Sequence, residues 1–465
     1  MSAHHKALTS LTLTSAIEKI KRSEISLEEI YEAFAAGASQ ADEKYHIYLA
    51  HNHQALKEGQ ARRDLPLAGL PIAVKDNYAT KGIRTTASST VLDKFIPQYS
   101  ATTIKKLEAA GGVVFAKTNM DAWAHGSSTE TSQYFTTLNP RNPDYLPGGS
   151  SGGSGAAVAA DACLAALGTE TAGSIRLPAS RCGVVGFKPT YGRVSRQGIV
   201  AMASSTDSPG PITKTVADAA LLYQHLAGHD PLDGTTANKP VGDVSAALTK
   251  GVKGLKIGIV YMNYDKLSQI KEHYQQAFKV FEDAGTLIEP VEALDPNHAI
   301  GVYTVVQRAE VSSNLARFDD VRYKDGRAFF GDEAKRRIML GTFTLSKGYA
   351  DQYYNLAQKV RTLFIRDFAK LFTKYDILIS PTTADYATPV GGSQESVLFG
   401  EMADVLLEAS SVTGLPGISI PCHRDPKTNL FLGLNIMAPS WREDLVFQAA
   451  SYFESATTWN TWLNK

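Results

Sequence analysis

Two glycine-serine steps carry the hydroxyls of this chain best suited to chemistry. The first is Gly148-Gly149-Ser150-Ser151-Gly152-Gly153-Ser154-Gly155 and the second is Gly173-Ser174-Ile175-Arg176-Leu177-Pro178. On composition alone a Ser/Gly run reads as a flexible linker, because it has few side chains to pack and costs much entropy to order. The flanks argue otherwise. A small-residue helical run, AAVAAD at 156–161, follows at once, and then LAALGT at 164–169, short, apolar and bounded by turn residues as a buried strand is. Glycines that open a helix allow close backbone approach and leave N–H groups free for a negative charge. The loops lack the Lys-Ser/Thr of a phosphate loop, and no Gly-x-Gly-x-x-Gly follows a strand. A transient oxyanion is the better-matched anion.

A serine hydroxyl attacks only once a base takes its proton, and histidine is the usual partner. The 11 histidines offer none near the loops: His125 follows a strand-like segment and the others are scattered. The better candidate is Lys75, where the apolar run LAGLPIAV at 67–74 ends in one cation, followed by Asp76 and Asn77. A base must be neutral. That requires lowering a lysine's pKa by roughly three units from about 10.4, near 4 kcal/mol, which burial can supply. The alternative at this position is a strand-end lysine that snorkels to water.

With Lys75 upstream of it, the run from 148 to 178 resembles the amidase signature family, whose members use a Ser-cisSer-Lys triad on an α/β/α fold. The resemblance implies that Ser174 is the nucleophile, Ser150 on a cis peptide the relay and Lys75 the base. It assigns the oxyanion hole to the N–H groups of Thr171, Ala172, Gly173 and Ser174, with Glu170 as the acidic residue before the nucleophile step. Further segments, NMDAWAHGSSTE at 119–130, GVVGFKPTYGRVS at 183–195 and GPITKTVADAA at 210–220, are similar to the A subunits of glutamyl-tRNA(Gln)/aspartyl-tRNA(Asn) amidotransferases. So are SSNLARFD at 312–319, KRRIMLG at 335–341 and QKVRT at 358–362, so the similarity spans most of residues 60 to 455. In those proteins a Tyr, an Arg and an Asp hold the α-amino and α-carboxylate groups of glutamine. Here they fall on Tyr303, Arg337 and Asp404.

The residue types suit that role: a planar Arg fork matches a carboxylate, and a carboxylate beside a hydroxyl matches an ammonium. Spacing alone also allows Arg337 to be one of three basic residues on a solvated helix face, and Asp404 a helix-start acid favoured by the dipole. The chain departs from the pattern at Asp121-Ala122-Trp123 (for Asp-Glu-Phe), Glu170 (for Asp), Ala172 (for Gly) and Trp441-Arg442-Glu443 (for Phe-Asp-Glu). The segment from Tyr323 to Asp332 is also shorter. No triad member is lost.

The remaining features fit such an enzyme. The 465 residues are 43% hydrophobic and 20% charged, ample for a large core. Lysines plus arginines number 47, as do aspartates plus glutamates, so no global basic field grips nucleic acid. Three cysteines, Cys163, Cys182 and Cys422, suit reduced thiols in a cytoplasm. His51-Asn52-His53 and His4-His5 lack further ligands at metal spacing, so no metal is expected. Neither a signal peptide nor an apolar run of about 18 residues points to a membrane.

Ser26-Leu27-Glu28-Glu29 is a capping box, with Ile25 placed to staple onto Ile30. A helix over 100–112 ended by glycine, followed by strand 113–116, begins an alternation that recurs as 255–260 then 269–283, and as 376–380 then 402–411. Alternation of this kind predicts an α/β fold, a central mixed sheet covered by helices on both faces. We read 1–465 as one amidase domain, with an N-terminal helical segment at 1–60 and a linker-like loop at 228–242.

The function implied by the resemblance is hydrolysis of the glutamine side-chain amide, releasing ammonia for a tRNA-dependent amidotransferase. It implies a heterotrimer with B and C subunits, mischarged tRNA held through the B subunit, and ATP and magnesium used by the assembly, with no cofactor in this chain. The alternatives are a stand-alone amidase acting on small amides and a non-catalytic scaffold.

Overall fold

The computed structural model describes residues 1–318, 326–396 and 399–460. Tyr323, at which the shortened segment starts, and Asp319 lie outside them. Among the described residues eleven strands form one mixed sheet. In chain order they are β1 Tyr48–His51, β2 Pro71–Lys75, β3 Val113–Thr118, β4 Ala165–Glu170, β5 Val185–Lys188, β6 Ser208–Thr213, β7 Lys256–Ile259, β8 Leu287–Pro290, β9 Ile377–Pro381, β10 Gly417–Arg424 and β11 Phe431–Met437. Across the sheet the order is β1-β3-β2-β4-β6-β5-β10-β11-β9-β7-β8. β2 lies parallel between β3 and β4, and β7 parallel between β8 and β9; the other pairings are antiparallel.

Parallel strands covered on both faces read as near-continuous apolar runs. Ala165-Ala166-Leu167 of β4 and Ile377-Leu378-Ile379 of β9 are fully buried in that way. The helices carry the complementary signal. Helix Lys271–Asp283 buries Tyr274, Ala277, Phe278 and Phe281, one stripe at helical spacing. Helix Leu27–Tyr45 starts at the capping box, the Ser26 hydroxyl taking the Glu29 N–H while the Glu29 carboxylate takes the Ser26 N–H.

Two segments differ from the sequence reading. The first 60 residues are not helical throughout, because β1 pairs antiparallel with β3 and forms one edge of the sheet. The stretch 228–242 is not a free linker. The Ser195 hydroxyl donates to Asp230 at 2.6 Å, the Arg196 N–H donates to Asp233 at 2.8 Å, and the Ala237 N–H donates to the Gly192 carbonyl. Its Gly, Asp and Pro content made it look unattached, whereas its partners lie far away in sequence.

The sheet sets up the chemistry through one register. β2 and β4 pair in parallel as Ala73 with Ala166 and Val74 with Leu167. Their carboxyl ends, Lys75 and Glu170, therefore leave the sheet side by side, where parallel α/β sheets place their sites. Helix Gly152–Ala159 packs on β4 and is buried at every position, which its Gly, Ala and Ser residues permit.

Truncating Leu167 in the middle of β4 should cost about 2–5 kcal/mol, the range for buried Leu→Ala changes. Leu167→Ala should lower the denaturant midpoint without changing the reactivity of Ser174 in the protein that remains folded. An unchanged midpoint would show that β4 does not carry the core as described.

Candidate active site

Lys75 is fully buried at the end of β2, and its Nζ lies 2.7 Å from Ser150 Oγ, 3.0 Å from Thr169 Oγ1 and 3.2 Å from the Thr169 carbonyl oxygen. A second buried lysine nearby is held differently. Lys117 is paired with the Asp76 carboxylate at 3.0 Å, whereas Lys75 meets two hydroxyls and a carbonyl. Burial without a paired anion disfavours the charged form. It pushes Lys75 down to about 7, against the opposing charges of Asp121, Asp207 and Glu170. The amine is thus substantially neutral near neutral pH and 2.7 Å from a hydroxyl whose proton it can take.

Ser150 follows a cis Gly149–Ser150 peptide. Asp121 braces this loop: its N–H donates to the Ser150 carbonyl at 3.2 Å, and its carboxylate accepts from the N–H groups of Ser128 and Thr129 and the Thr131 hydroxyl. The Ser151 N–H donates to the Ser174 carbonyl at 3.2 Å, which ties the two glycine-serine steps together. No hydrogen bond joins the Ser150 and Ser174 hydroxyls. Catalytic hydrogen bonds are often long before substrate is seated and tighten only in the Michaelis complex.

The segment 171–174 is held at both ends. The Glu170 carboxylate accepts from the N–H groups of Ile175 and Arg176, both at 3.0 Å, and from the Arg176 guanidinium at 2.6 and 2.8 Å. The Thr171 hydroxyl donates to Asp207 at 2.8 Å, and the Ser411 hydroxyl donates to the Ala172 carbonyl. Among the described residues, the N–H groups of Thr171, Ala172, Gly173 and Ser174 donate to nothing, although all four residues are buried. Buried N–H groups without an acceptor are rare. Four in a row, beside a serine and fixed by their neighbours, are what an oxyanion would require.

The three substrate-contact candidates come from three helices. Tyr303 lies on helix Pro296–Asn314, Arg337 on helix Asp332–Leu345 and Asp404 on helix Phe399–Val412. All three are buried, so the surface alternatives for Arg337 and Asp404 do not hold. Asp404 stands in mid-helix against the segment 171–174: a Cβ on Gly173 would lie 2.3 Å from Asp404 Oδ1, so a larger residue there would displace that carboxylate or the segment. The Ser127 hydroxyl donates to Asp404 Oδ2 at 3.1 Å and to the Gly400 carbonyl at 3.2 Å. A Cβ on Gly400 would meet Arg337 Nη2 at 4.0 Å, which places the guanidinium beside the same turn. Burial and then the Glu170 charge push the Asp404 carboxyl well up. Burial opposes the Arg337 charge, but the Glu333 carboxylate, 2.5 Å from its Nε, holds it firmly protonated. Among the described residues Asp404 Oδ1 and Arg337 Nη1, both buried, have no hydrogen-bond partner, which leaves one acceptor and one donor for a ligand.

Sequence reasoning missed Ser127, the Glu333–Arg337 pair and the Arg308–Glu401 pair at 2.7 Å. Glu333 was detectable, since an acid four positions before an arginine on a helix is a known pairing signal. The departures from the family pattern are mostly structural. Trp123 packs on Phe318 and Phe330 and donates its indole N–H to the Phe330 carbonyl. Trp441 stacks under Arg193, and Glu443 accepts from that arginine. His125 is buried with neither ring nitrogen bonded among the described residues, near Arg337 and Arg308, whose charges add to burial in pushing its pKa down. Among the described residues no three His, Cys, Asp or Glu side chains are placed to hold a metal ion.

The amidase family model matches residues 27–447. This chain belongs to the amidase family. The A subunit of a glutamyl-tRNA(Gln) amidotransferase from Halothermothrix orenii is 44% identical to this amidase over 472 aligned positions, 98% of each chain. The crystal structure of the glutamyl-tRNA(Gln) amidotransferase A subunit from Thermotoga maritima matches it with a TM-score of 0.81 at 36% identity, covering 95% of this chain and 93% of that one. The native peptide amidase from Stenotrophomonas maltophilia gives the same TM-score, 0.81, at 29% identity over 96% of each chain. Fold likeness alone therefore does not separate amidases with different substrates, and the pocket residues must.

Gly173→Ala tests the contact between the oxyanion segment and the Asp404 helix. The added methyl has no room beside Asp404 Oδ1, so either that carboxylate or the segment must shift. Displacing its donors should lower kcat for amide hydrolysis by about 10²–10³-fold. Unchanged turnover would separate the segment from oxyanion binding.

Proposed function

We propose that this amidase hydrolyses the side-chain amide of glutamine and serves as the A subunit of a tRNA-dependent amidotransferase. The carrying observation is that Arg337 Nη1 and Asp404 Oδ1, buried and without a hydrogen-bond partner among the described residues, lie on the helices packed about Gly173 and Gly400 and match the demands of a free amino acid. A small neutral amide would leave both groups unsatisfied, at a cost that argues against a stand-alone amidase of simple amides. The relatives named as A subunits, 44% identical over nearly the whole chain, support the same reading.

In this mechanism Lys75 takes the Ser150 proton while Ser150 takes that of Ser174, whose Oγ attacks the amide carbon. The oxyanion that forms is held by the N–H groups of residues 171–174. Protonated Lys75 then returns its proton through Ser150 to the leaving nitrogen, ammonia departs, and a γ-glutamyl ester remains on Ser174. Water, deprotonated along the same path, releases glutamate and restores the serine. Arg337 forks the α-carboxylate, and Asp404 with Tyr303 takes the α-ammonium.

Ammonia passes to a B subunit that holds the mischarged tRNA, within a heterotrimer completed by a C subunit; ATP and magnesium serve that assembly. The chain works in the cytoplasm, with residues 1–465 acting as one amidase unit. Among the described residues no helix is long and apolar enough to cross a membrane, and the three cysteines are free and buried.

Ser174→Ala should abolish glutamine hydrolysis and leave the fold intact, while tRNA amidation driven by free ammonia continues in the complex. Loss of the ammonia-driven reaction in a folded complex would count against the role. Arg337→Lys keeps the charge but not the fork, and should weaken glutamine use by roughly ten- to a hundredfold. Glutamine kinetics identical to wild type would remove Arg337 from substrate binding.

A further inference from the structure

The charges between the three pocket helices do not pair off evenly. Arg308 Nη2 is taken by Glu401 at 2.7 Å, and Arg337 Nε by Glu333 at 2.5 Å. Asp404 and Glu408 form no ion pair among the described residues, although the Arg181 charge acts on Asp404 and the Arg308 and Arg337 charges act on Glu408. Both Glu408 carboxylate oxygens and Asp404 Oδ1 are buried with no hydrogen-bond partner among the described residues. The two residues are four apart on helix Phe399–Val412, so they share one face, a single turn from each other. The Tyr303 phenol lies within the field of both, and of Arg337. Asp404 abuts the segment 171–174 at Gly173, and Glu408 lies one turn further along the same face of the helix.

A buried carboxylate with neither an ion-pair partner nor a hydrogen-bond donor is among the costliest side chains a core can hold. Burial, and then the Asp404 and Glu401 charges, accordingly push the Glu408 carboxyl well above the usual range. An ammonium has three donors and no acceptor, so one carboxylate cannot satisfy it alone. Asp404 Oδ1, the Glu408 carboxylate and the Tyr303 hydroxyl are acceptors of the matching number. Nothing in the Ser-Ser-Lys relay uses Glu408.

We propose that Glu408 is a specificity-determining residue, a second carboxylate that joins Asp404 around the ligand's ammonium and makes the pocket selective for amides carrying a free primary amine. The proposal rests on the reading that glutamine is the substrate, since the cation is its α-ammonium. Glu408 touches the end of the ligand remote from the bond that breaks. Its contribution therefore lies in binding, and it separates glutamine from the same amide without an amino group.

The test compares glutamine with glutaramate, which is glutamine lacking the α-amino group, in the full chain with its accompanying subunits. Glu408→Gln keeps the shape and removes the charge. It should raise KM for glutamine about ten- to a hundredfold, as expected for losing a charge-assisted hydrogen bond, and leave kcat within about twofold. Glutaramate kcat/KM should stay at the wild-type value. Labelling of Ser174 by a sulfonyl fluoride at the wild-type rate reports an intact site. If Glu408→Gln does not label, the comparison is made with Glu408→Asp, whose shortened carboxylate should also raise KM for glutamine and spare glutaramate. Glutamine KM unchanged in a labelling-competent variant overturns the proposal and leaves the glutaminase reading standing. Equal losses for both amides overturn it too, by showing a purely structural role. A wild-type enzyme that hydrolyses glutaramate but not glutamine overturns both readings.

Discussion

Desolvation of one amine is the constraint on which this site depends. An exposed lysine would be an ammonium at neutral pH and could accept nothing. The protein could have neutralised the cost of burying Lys75 with an adjacent carboxylate, as it does for Lys117 with Asp76. It instead supplies Ser150, Thr169 and a carbonyl. Those partners orient the amine without fixing its charge, and they leave its pKa near 7. The three carboxylates that act on it stand farther off and are engaged elsewhere: Asp121 by the loop at 128–131, Asp207 by Thr171 and residues 202–203, and Glu170 by Arg176.

Those three engagements tie the surroundings of Lys75 to the loop that carries Ser174. Glu170 and Arg176 form a fully buried ion pair in which the carboxylate also accepts the N–H groups of residues 175 and 176, and the guanidinium is bonded by Ser410, Ser411 and Asn435. A buried pair is retained at little net gain in stability, but removing one partner is costly. Here it fixes the turn between β4 and helix Arg176–Cys182, which leaves the N–H groups of 171–174 without acceptors. Asp404 then closes the other side of that turn, so in the proposed mechanism substrate recognition and oxyanion binding share a wall one glycine thick.

Much of the fold could be read from local pattern. The capping box at Ser26, the buried run of β4 and the apolar stripe of helix Lys271–Asp283 are short-range signals, and each formed the element expected. The β10–β11 hairpin and the sheet order depend on pairings between distant segments, which no local periodicity states. The edge strand Tyr48–His51 is only four residues long, too short for alternation to speak clearly. At the site, the serines and Lys75 stood out by type and flanks. Arg337 did not, because KRR on a polar helix resembles a solvated face; its burial comes from helix packing so close that a Cβ on Gly341 would lie 1.9 Å from the Arg308 carbonyl oxygen. Glu408 carried no signal at all, since an acid in an apolar helix acquires meaning only once its neighbours are known.

The central claim is that a neutral Lys75 draws the proton from Ser174 through Ser150. It is tested most directly by the rate at which an amide-mimicking electrophile labels Ser174, followed against pH in wild type and Lys75→Met. Lys75 is protonated below its pKa and neutral above it, so the wild-type rate should rise with pH through about 7 and then level off. Lys75→Met should label at least about a hundredfold more slowly, with that rise gone. Labelling of Lys75→Met at the wild-type rate, or a wild-type rate flat across this range, would contradict the account.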